Sequence, residues 1–347
     1  MTQRKHAEDS STRDAVSIAE ARVAVSGVPR RPVASLVWVS FGMIALTVPM
    51  AMWSSTYAQQ VGFRVMIYVA IAQAWNLLAG YGGMIFLGTA AFVGVGEYAF
   101  IEASNHGMAV MPAVAFAGLA SVTLAIVISP ALFRLRGLYF AVGTWAFAQA
   151  LLLLVSTITT FGGSTGLFLK VMPPSYATMY WYSLLLAVAT GVVVLLVLRS
   201  RLSVALRGVR DDQDVAEEMG VRVFRTKLTA LMIAALVMGV VGAIQCLNDA
   251  FVEPTGAFSM GWAVYPLVAV IIGGMATRLG PWIGALAIVG LGEALANYSD
   301  IHDLITGIIL IVVIRFLPRG VWGSLCAGWR RWTSVRRTRS HLDEAPR

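Results

Sequence analysis

The chain has 347 residues, of which 58% are hydrophobic and only 13% charged, and its mean hydropathy is +0.75. Soluble domains contain about 25% charged residues, so this composition excludes an ordinary soluble domain and predicts a multi-pass membrane protein. The net charge of +8 indicates Lys- and Arg-rich cytoplasmic loops rather than a nucleic-acid ligand, which we do not expect.

Both ends of the chain are polar. Residues 1–32 mix charges of both signs and lack the short apolar stretch of a signal peptide, so we predict a disordered cytoplasmic tail there. Residues 319–347 are rich in arginine and are predicted to form a second cytoplasmic tail. The transmembrane domain is therefore expected to span residues 33–318.

The apolar segments of this domain predict an all-α polytopic fold with about ten transmembrane helices. The predicted spans are 33–53, 61–80, 84–103, 108–132, 137–160, 176–198, 228–248, 262–277, 279–298 and 301–317. With the N-terminus inside, Arg64 and Lys170 alone among the 26 Lys and Arg residues lie outside, which predicts cytoplasmic N- and C-termini. The last three spans are short, so one of them is a candidate re-entrant segment.

Glycines cluster at the second and third spans, from Gly80 to Gly96, and are followed by Glu97. Small residues allow helix backbones to approach closely in lipid, and they also permit a break in which backbone groups line a cavity. Of the acids within the predicted spans, Glu97 and Glu293 lie furthest from a span end, where a charge is costly. Each is either a pathway residue or a carboxyl group bonded to neighbouring helices, and neither has an evident basic partner within a span.

The segment at 199–227 is the one strongly charged insert between apolar spans. Asp211, Asp212 and Asp214 favour the start of a short helix, and Gly220 favours its end. An apolar face of Val215, Ala216 and Met219 is then predicted between charged flanks. Such a helix suits docking into a groove on a cytoplasmic partner, whereas the plainer alternative is a solvated connector.

No catalytic or nucleotide-binding motif stands out. The three lysines, Lys5, Lys170 and Lys227, follow no glycine-rich loop, so the sequence contains no phosphate-binding loop. None of the four histidines lies well inside a predicted span, and none forms a paired metal motif. We therefore expect a transport subunit rather than an enzyme, with no cofactor and no metal bound by this chain.

Six blocks in sequence order then resemble the permease subunits of ABC importers for branched-chain amino acids, the LivM-type family, over roughly residues 60–325. The blocks are Asn76 to Tyr98, Leu135 to Ala141, Gly162 to Gly166, Arg207 to Gly220, Gly273 to Glu293, and Pro318 to Gly323. The resemblance makes residues 199–227 the coupling loop, with Arg207, Arg210, Asp211, Asp212, Val215, Ala216, Glu217, Met219 and Gly220 as coupling residues. It also implies a second homologous permease subunit, two cytoplasmic ATPase subunits that hold ATP and Mg²⁺, and an extracytoplasmic substrate-binding protein. The implied location is a bacterial or archaeal plasma membrane.

The chain departs from the family within the first glycine block, where Met84, Phe86 and Thr89 replace the usual polar residues and Glu97 replaces a small one. The candidate pathway residues are Asn76, Met84, Phe86, Gly88, Thr89, Glu97 and Glu293. Because of these departures the substrate stays open between branched-chain amino acids, other small amino acids, urea and short amides. The alternative function is a self-sufficient ion-coupled secondary transporter that uses Glu97 or Glu293 as its proton site.

Overall fold

The structure is a computed structural model that describes residues 55–295, and this part of the chain is a helical bundle with one two-stranded sheet. The helices are α1 (Thr56–Asn76), α2 (Thr89–Asn105), α3 (Val110–Leu132), α4 (Leu138–Thr157), α5 (Tyr176–Arg199), α6 (Arg201–Asp211), α7 (Gln213–Glu218), α8 (Val223–Asp249), α9 (Pro254–Ala257), α10 (Gly261–Gly273) and α11 (Gly280–Leu295). The strands are β1 (Leu167–Phe168) and β2 (Phe251–Val252), which pair antiparallel. The tails and the predicted spans 33–53 and 301–317 lie outside the described residues.

Six helical segments of the described part are long and apolar enough to cross a membrane. They match the predicted second, fourth, fifth, sixth, seventh and eighth spans, mostly to within a few residues. The third span was predicted to start at residue 84, but α2 starts at Thr89 and residues 82–88 are not helical. The eighth span was predicted at 262–277, but α10 ends at Gly273 and residues 274–279 are not helical.

The centre of the bundle is formed by α1 and α8. The apolar window of α1 is 78% buried and that of α8 is 72% buried, against 28% for α4 and α5. α8 packs on α2 and α3, and its backbone comes very close to that of α2 where Gly96 faces Gly239: a Cβ added to Gly96 would lie 2.3 Å from the Gly239 carbonyl oxygen. Small residues therefore serve close helix packing at this crossing.

The small sheet lies at the end of the bundle away from α6 and α7. Leu167 pairs with Val252 and Phe168 with Phe251, so the segment after α4 is joined to the segment after α8. The Asn105 side chain at the end of α2 secures it, because its amide donates to the Phe168 carbonyl and its oxygen accepts from the Lys170 amide. Three connections of the bundle are thereby fixed to one another.

Candidate functional site

The charged segment folds into two consecutive capped helices, α6 and α7. The Ser200 hydroxyl accepts from the Leu202 amide at the start of α6, and an Asp212 oxygen accepts from the amides of Asp214 (2.9 Å) and Val215 (3.2 Å) at the start of α7. Gly220 follows α7 with a φ of +84°, a conformation that favours glycine and ends a helix. The short helix predicted between Asp211 and Gly220 is therefore present, with Asp211 closing α6 rather than opening α7.

The predicted apolar face of this helix is only partly correct. Val215 is 50% exposed and Met219 81% exposed, whereas Ala216 is 3% exposed and packs against Val209 and Val223 of the same chain. On a helix this short, Ala216 points towards α6 and α8 because those helices flank it on one side. The remaining predicted coupling residues are exposed: Arg207, Arg210, Asp211, Asp212, Glu217 and Gly220.

Polar contacts tie the two helices to the transmembrane bundle. A guanidinium nitrogen of Arg210 donates to the Gly80 carbonyl at the end of α1. Asp214 forms an ion pair of 3.1 Å with Arg136, just before α4, and the Lys227 ammonium donates to the Gln213 side-chain oxygen at 2.6 Å. These contacts join α6 and α7 to the end of α1, to the segment before α4 and to α8.

The end of α1 widens into a π-helical turn, Leu77–Tyr81, where the Gly80 carbonyl meets Arg210. Irregular helical turns of this kind occur frequently at functional sites. The extended segment that follows alternates: Met84 and Phe86 are buried, whereas Ile85 is 50% exposed. Met84 and Phe86 therefore point into the protein, and Ile85, which sequence reasoning missed, points out of it. The sequence predicted a helix over these residues, whereas side chains alternate between two faces only in an extended segment. The alternation of buried and exposed residues could therefore not be expected from the sequence.

The segment is held by side chains from α1 and α4. The Trp75 indole donates to the Phe86 carbonyl at 2.7 Å, the Leu87 amide donates to the Thr144 hydroxyl, and the Phe86 ring stacks on Phe92. Gly88 is buried where a Cβ would lie 2.9 Å from the Thr144 carbonyl oxygen. Thr89 is also buried, and its hydroxyl has no hydrogen-bond partner among the described residues.

Asn76 joins the two glycine-rich blocks, which are 200 residues apart in sequence. Its side-chain oxygen accepts from the Ala276 amide and its nitrogen donates to the Thr277 carbonyl, each at 2.9 Å. Ala276 has a φ of +56°, so the turn between α10 and α11 is held in a conformation that is unfavourable for a residue with a side chain. The structure thus makes Asn76 a clamp on that turn.

Glu97 is buried, at 6% exposure, on the side of α2 that faces α8. It lies beside the Gly96–Gly239 crossing. Residues 55–295 contain no group of three acidic, cysteine or histidine side chains that could hold a metal ion. Glu97 faces the bundle interior rather than lipid.

Glu293 has the basic partner that the sequence did not reveal. An Arg64 guanidinium nitrogen lies 2.8 Å from one carboxylate oxygen, and the Tyr57 hydroxyl donates to the other at 2.5 Å. The sequence showed no evident basic partner for Glu293 within a span, and the structure supplies one because α1 and α11 pack side by side. Sequence spacing could not indicate this pair, since 229 residues separate its members.

Comparison with known proteins gives a consistent result. The family model described as branched-chain amino acid transport system / permease component matches residues 57–314. The LivM permease proteins of a high-affinity branched-chain amino acid transport system from Salmonella typhimurium and Escherichia coli K12 are each 24% identical over 314 residues, which covers 80% of this chain and 74% of theirs. A probable LivH permease protein of Methanocaldococcus jannaschii is 26% identical over 163 residues, 42% of this chain and 50% of its own length. No solved structure matches the chain.

Proposed function

The chain belongs to the family of branched-chain amino acid transport permeases, and from this membership we propose that it is one of two integral permease subunits of an ATP-driven importer. A second homologous permease would complete the pathway, and two cytoplasmic ATPase subunits would bind ATP and Mg²⁺. An extracytoplasmic binding protein would deliver the substrate, and the assembly would reside in a bacterial or archaeal plasma membrane. The substrate is a branched-chain or other small amino acid, with urea and short amides as the alternative.

The geometry of α6 and α7 is the observation that supports this function best. Two capped helices stand on one end of the bundle and present Val215 and Met219 between exposed charges. A short amphipathic helix with exposed apolar anchors is a common docking element. Ala216 has the separate role of seating α7 on the chain itself.

The contacts beneath α6 and α7 provide a route for coupling. Arg210 holds the Gly80 carbonyl, and four residues earlier Asn76 clamps the α10–α11 turn. A movement imposed on α6 by ATP-bound partners would therefore reach α1 and that turn together. Transport would follow from a change between outward- and inward-facing arrangements of the bundle.

Docking is tested by placing a charge at the exposed apolar position of α7. Met219→Glu should weaken co-purification of the ATPase subunits and abolish ATP-dependent uptake in proteoliposomes, because a docked carboxylate would be desolvated. Met172→Glu is the matched control: Met172 is 90% exposed and lies in the connection that contains β1, so ATPase co-purification should not change. Retention of both the ATPase subunits and uptake by Met219→Glu would reject α7 as the docking element.

The ion-coupled alternative is tested with the chain and its permease partner alone. Saturable accumulation driven by an imposed proton or sodium gradient, without ATPase subunits, would replace the importer proposal. We expect accumulation only after the ATPase subunits, the binding protein and ATP are added. The ion pair of Glu293 with Arg64 leaves Glu97 as the stronger candidate for a proton site in that alternative.

A further inference from the structure

A small cavity lies between α1, α10 and α11, at the end of α11 that contains Glu293. Its volume is about 180 Å³, roughly a dozen times the ~15 Å³ that one water needs, so it has room for a small solute. It has a polar wall and an apolar wall. The wall residues are Arg64, Tyr68 and Glu293 on the polar side and Tyr265, Ile288 and Val289 on the other.

The polar wall contains opposite charges next to each other. Arg64 and Glu293 are 2.8 Å apart, and their side chains are 60% and 18% exposed. The single bond from Arg64 to Glu293 leaves guanidinium N–H groups for a further acceptor, because arginine has five donors in all. The pair keeps the cavity neutral when nothing is bound, and the exposure of Arg64 makes the cavity accessible from its polar end.

The apolar wall suits an aliphatic side chain. Ile288 and Val289 are 9% and 5% exposed. The Tyr68 and Tyr265 rings meet edge to face at 5.5 Å and form the aromatic part of the lining. A ligand that fits both walls has a positive and a negative group close together and a short apolar substituent.

We propose that this cavity binds a zwitterionic amino acid with a small aliphatic side chain, with its carboxylate on Arg64 and its ammonium group on Glu293. This inference rests on the proposed transport function and specifies its substrate class. Because Glu293 is only 18% exposed, leaving its carboxylate without a positively charged partner costs free energy. A zwitterion supplies an opposite charge for both Arg64 and Glu293, whereas a carboxylic acid, an amine or neutral urea leaves at least one of them without an oppositely charged partner. We therefore expect the cavity to bind a zwitterion in preference to ligands with one charge or none, because only a zwitterion replaces both members of the Arg64–Glu293 pair.

The test is direct binding to the purified permease–ATPase complex in nanodiscs, with the binding protein omitted. Radiolabelled L-leucine is the probe, and 4-methylpentanoate, 3-methylbutylamine and urea are the competitors. We expect leucine to bind saturably and each competitor to be about tenfold weaker or more, equivalent to about 1.4 kcal/mol or more. Equal competition by the amine or the acid would overturn the inference.

Two variants separate binding from folding. The double variant Arg64→Gln with Glu293→Gln removes both charges and should lose leucine binding by about tenfold or more. Val289→Phe leaves the charges intact, fills the apolar wall and should also abolish binding, with the elution profile and ATPase activity of the complex preserved. Wild-type affinity in either variant would overturn the inference. Normal leucine uptake by the wild-type complex and by both variants would show that the cavity is not a substrate site, while the importer proposal would stand. If the wild-type complex neither binds nor transports leucine, both proposals fail.

Discussion

Asn76→Ala should destabilise the protein more than removal of any comparable exposed amide. Asn76 is 2% exposed and satisfies the Ala276 amide and the Thr277 carbonyl. Its loss leaves two backbone groups of a part-buried turn without their side-chain partner, and the burial of Asn76 limits their replacement by water. Each unsatisfied group costs roughly 1–3 kcal/mol, so the expected loss in the free energy of unfolding is roughly 2–6 kcal/mol. The measurement is the unfolding midpoint of the purified complex in mild detergent with increasing SDS.

Asn105→Ala is the matched control for this prediction. Asn105 makes the same two kinds of bond, accepting from the Lys170 amide and donating to the Phe168 carbonyl, but in an exposed connection. Water replaces the lost partners there, so we expect a cost below about 1 kcal/mol. Equal losses for the two variants, or an unchanged midpoint for Asn76→Ala, would refute the reasoning.

Two further substitutions test local features of the fold. Gly96→Ala would place its Cβ 2.3 Å from the Gly239 carbonyl oxygen and should cost roughly 1–3 kcal/mol by forcing α2 away from α8. The control is Gly290→Ala, which has no atom within 4 Å of the new Cβ and should stabilise the protein by about 0.5–1 kcal/mol. The melting points of the two variants in detergent are compared, and equal shifts would contradict the close crossing. Asp212→Ala removes the cap of α7 and should cost about 1 kcal/mol. The measurement is amide hydrogen exchange in α7, which should become faster in Asp212→Ala and return to the wild-type rate in Asp212→Ser. Unchanged exchange in Asp212→Ala would show that the cap contributes nothing.

The positions of most membrane helices follow from the sequence alone. Within a bilayer every backbone polar group needs an internal partner, so a long apolar run has to form a helix whatever its neighbours are. The predicted span 108–132 corresponds to Val110–Leu132, and the span 176–198 to Tyr176–Arg199. The start and end of α7 are equally local, because Asp212 and Gly220 act on their own backbone neighbourhood.

The break at residues 82–88 was not predictable in the same way. Its residues are as apolar as those of a helix, and the conformation depends on Trp75 and Thr144 binding the backbone at Phe86 and Leu87. These bonds form only after α1 and α4 have packed. The pathway roles of Met84, Phe86, Gly88 and Thr89 accordingly stay predictions.

What the sequence by itself determined is the family, the helical class and the existence of a charged segment between apolar spans, because motifs and apolar periodicity are properties of neighbouring residues. What only the tertiary structure decided is which side chains meet across the bundle. The Ala216 side chain is buried because α6 and α8 flank it. Glu293 forms an ion pair with Arg64, and Asn76 forms hydrogen bonds with the α10–α11 turn. The contacts of Glu293 and Asn76 join helices far apart in the chain, whereas that of Ala216 joins consecutive helices. In each case the geometry is set by how the helices pack rather than by local propensity.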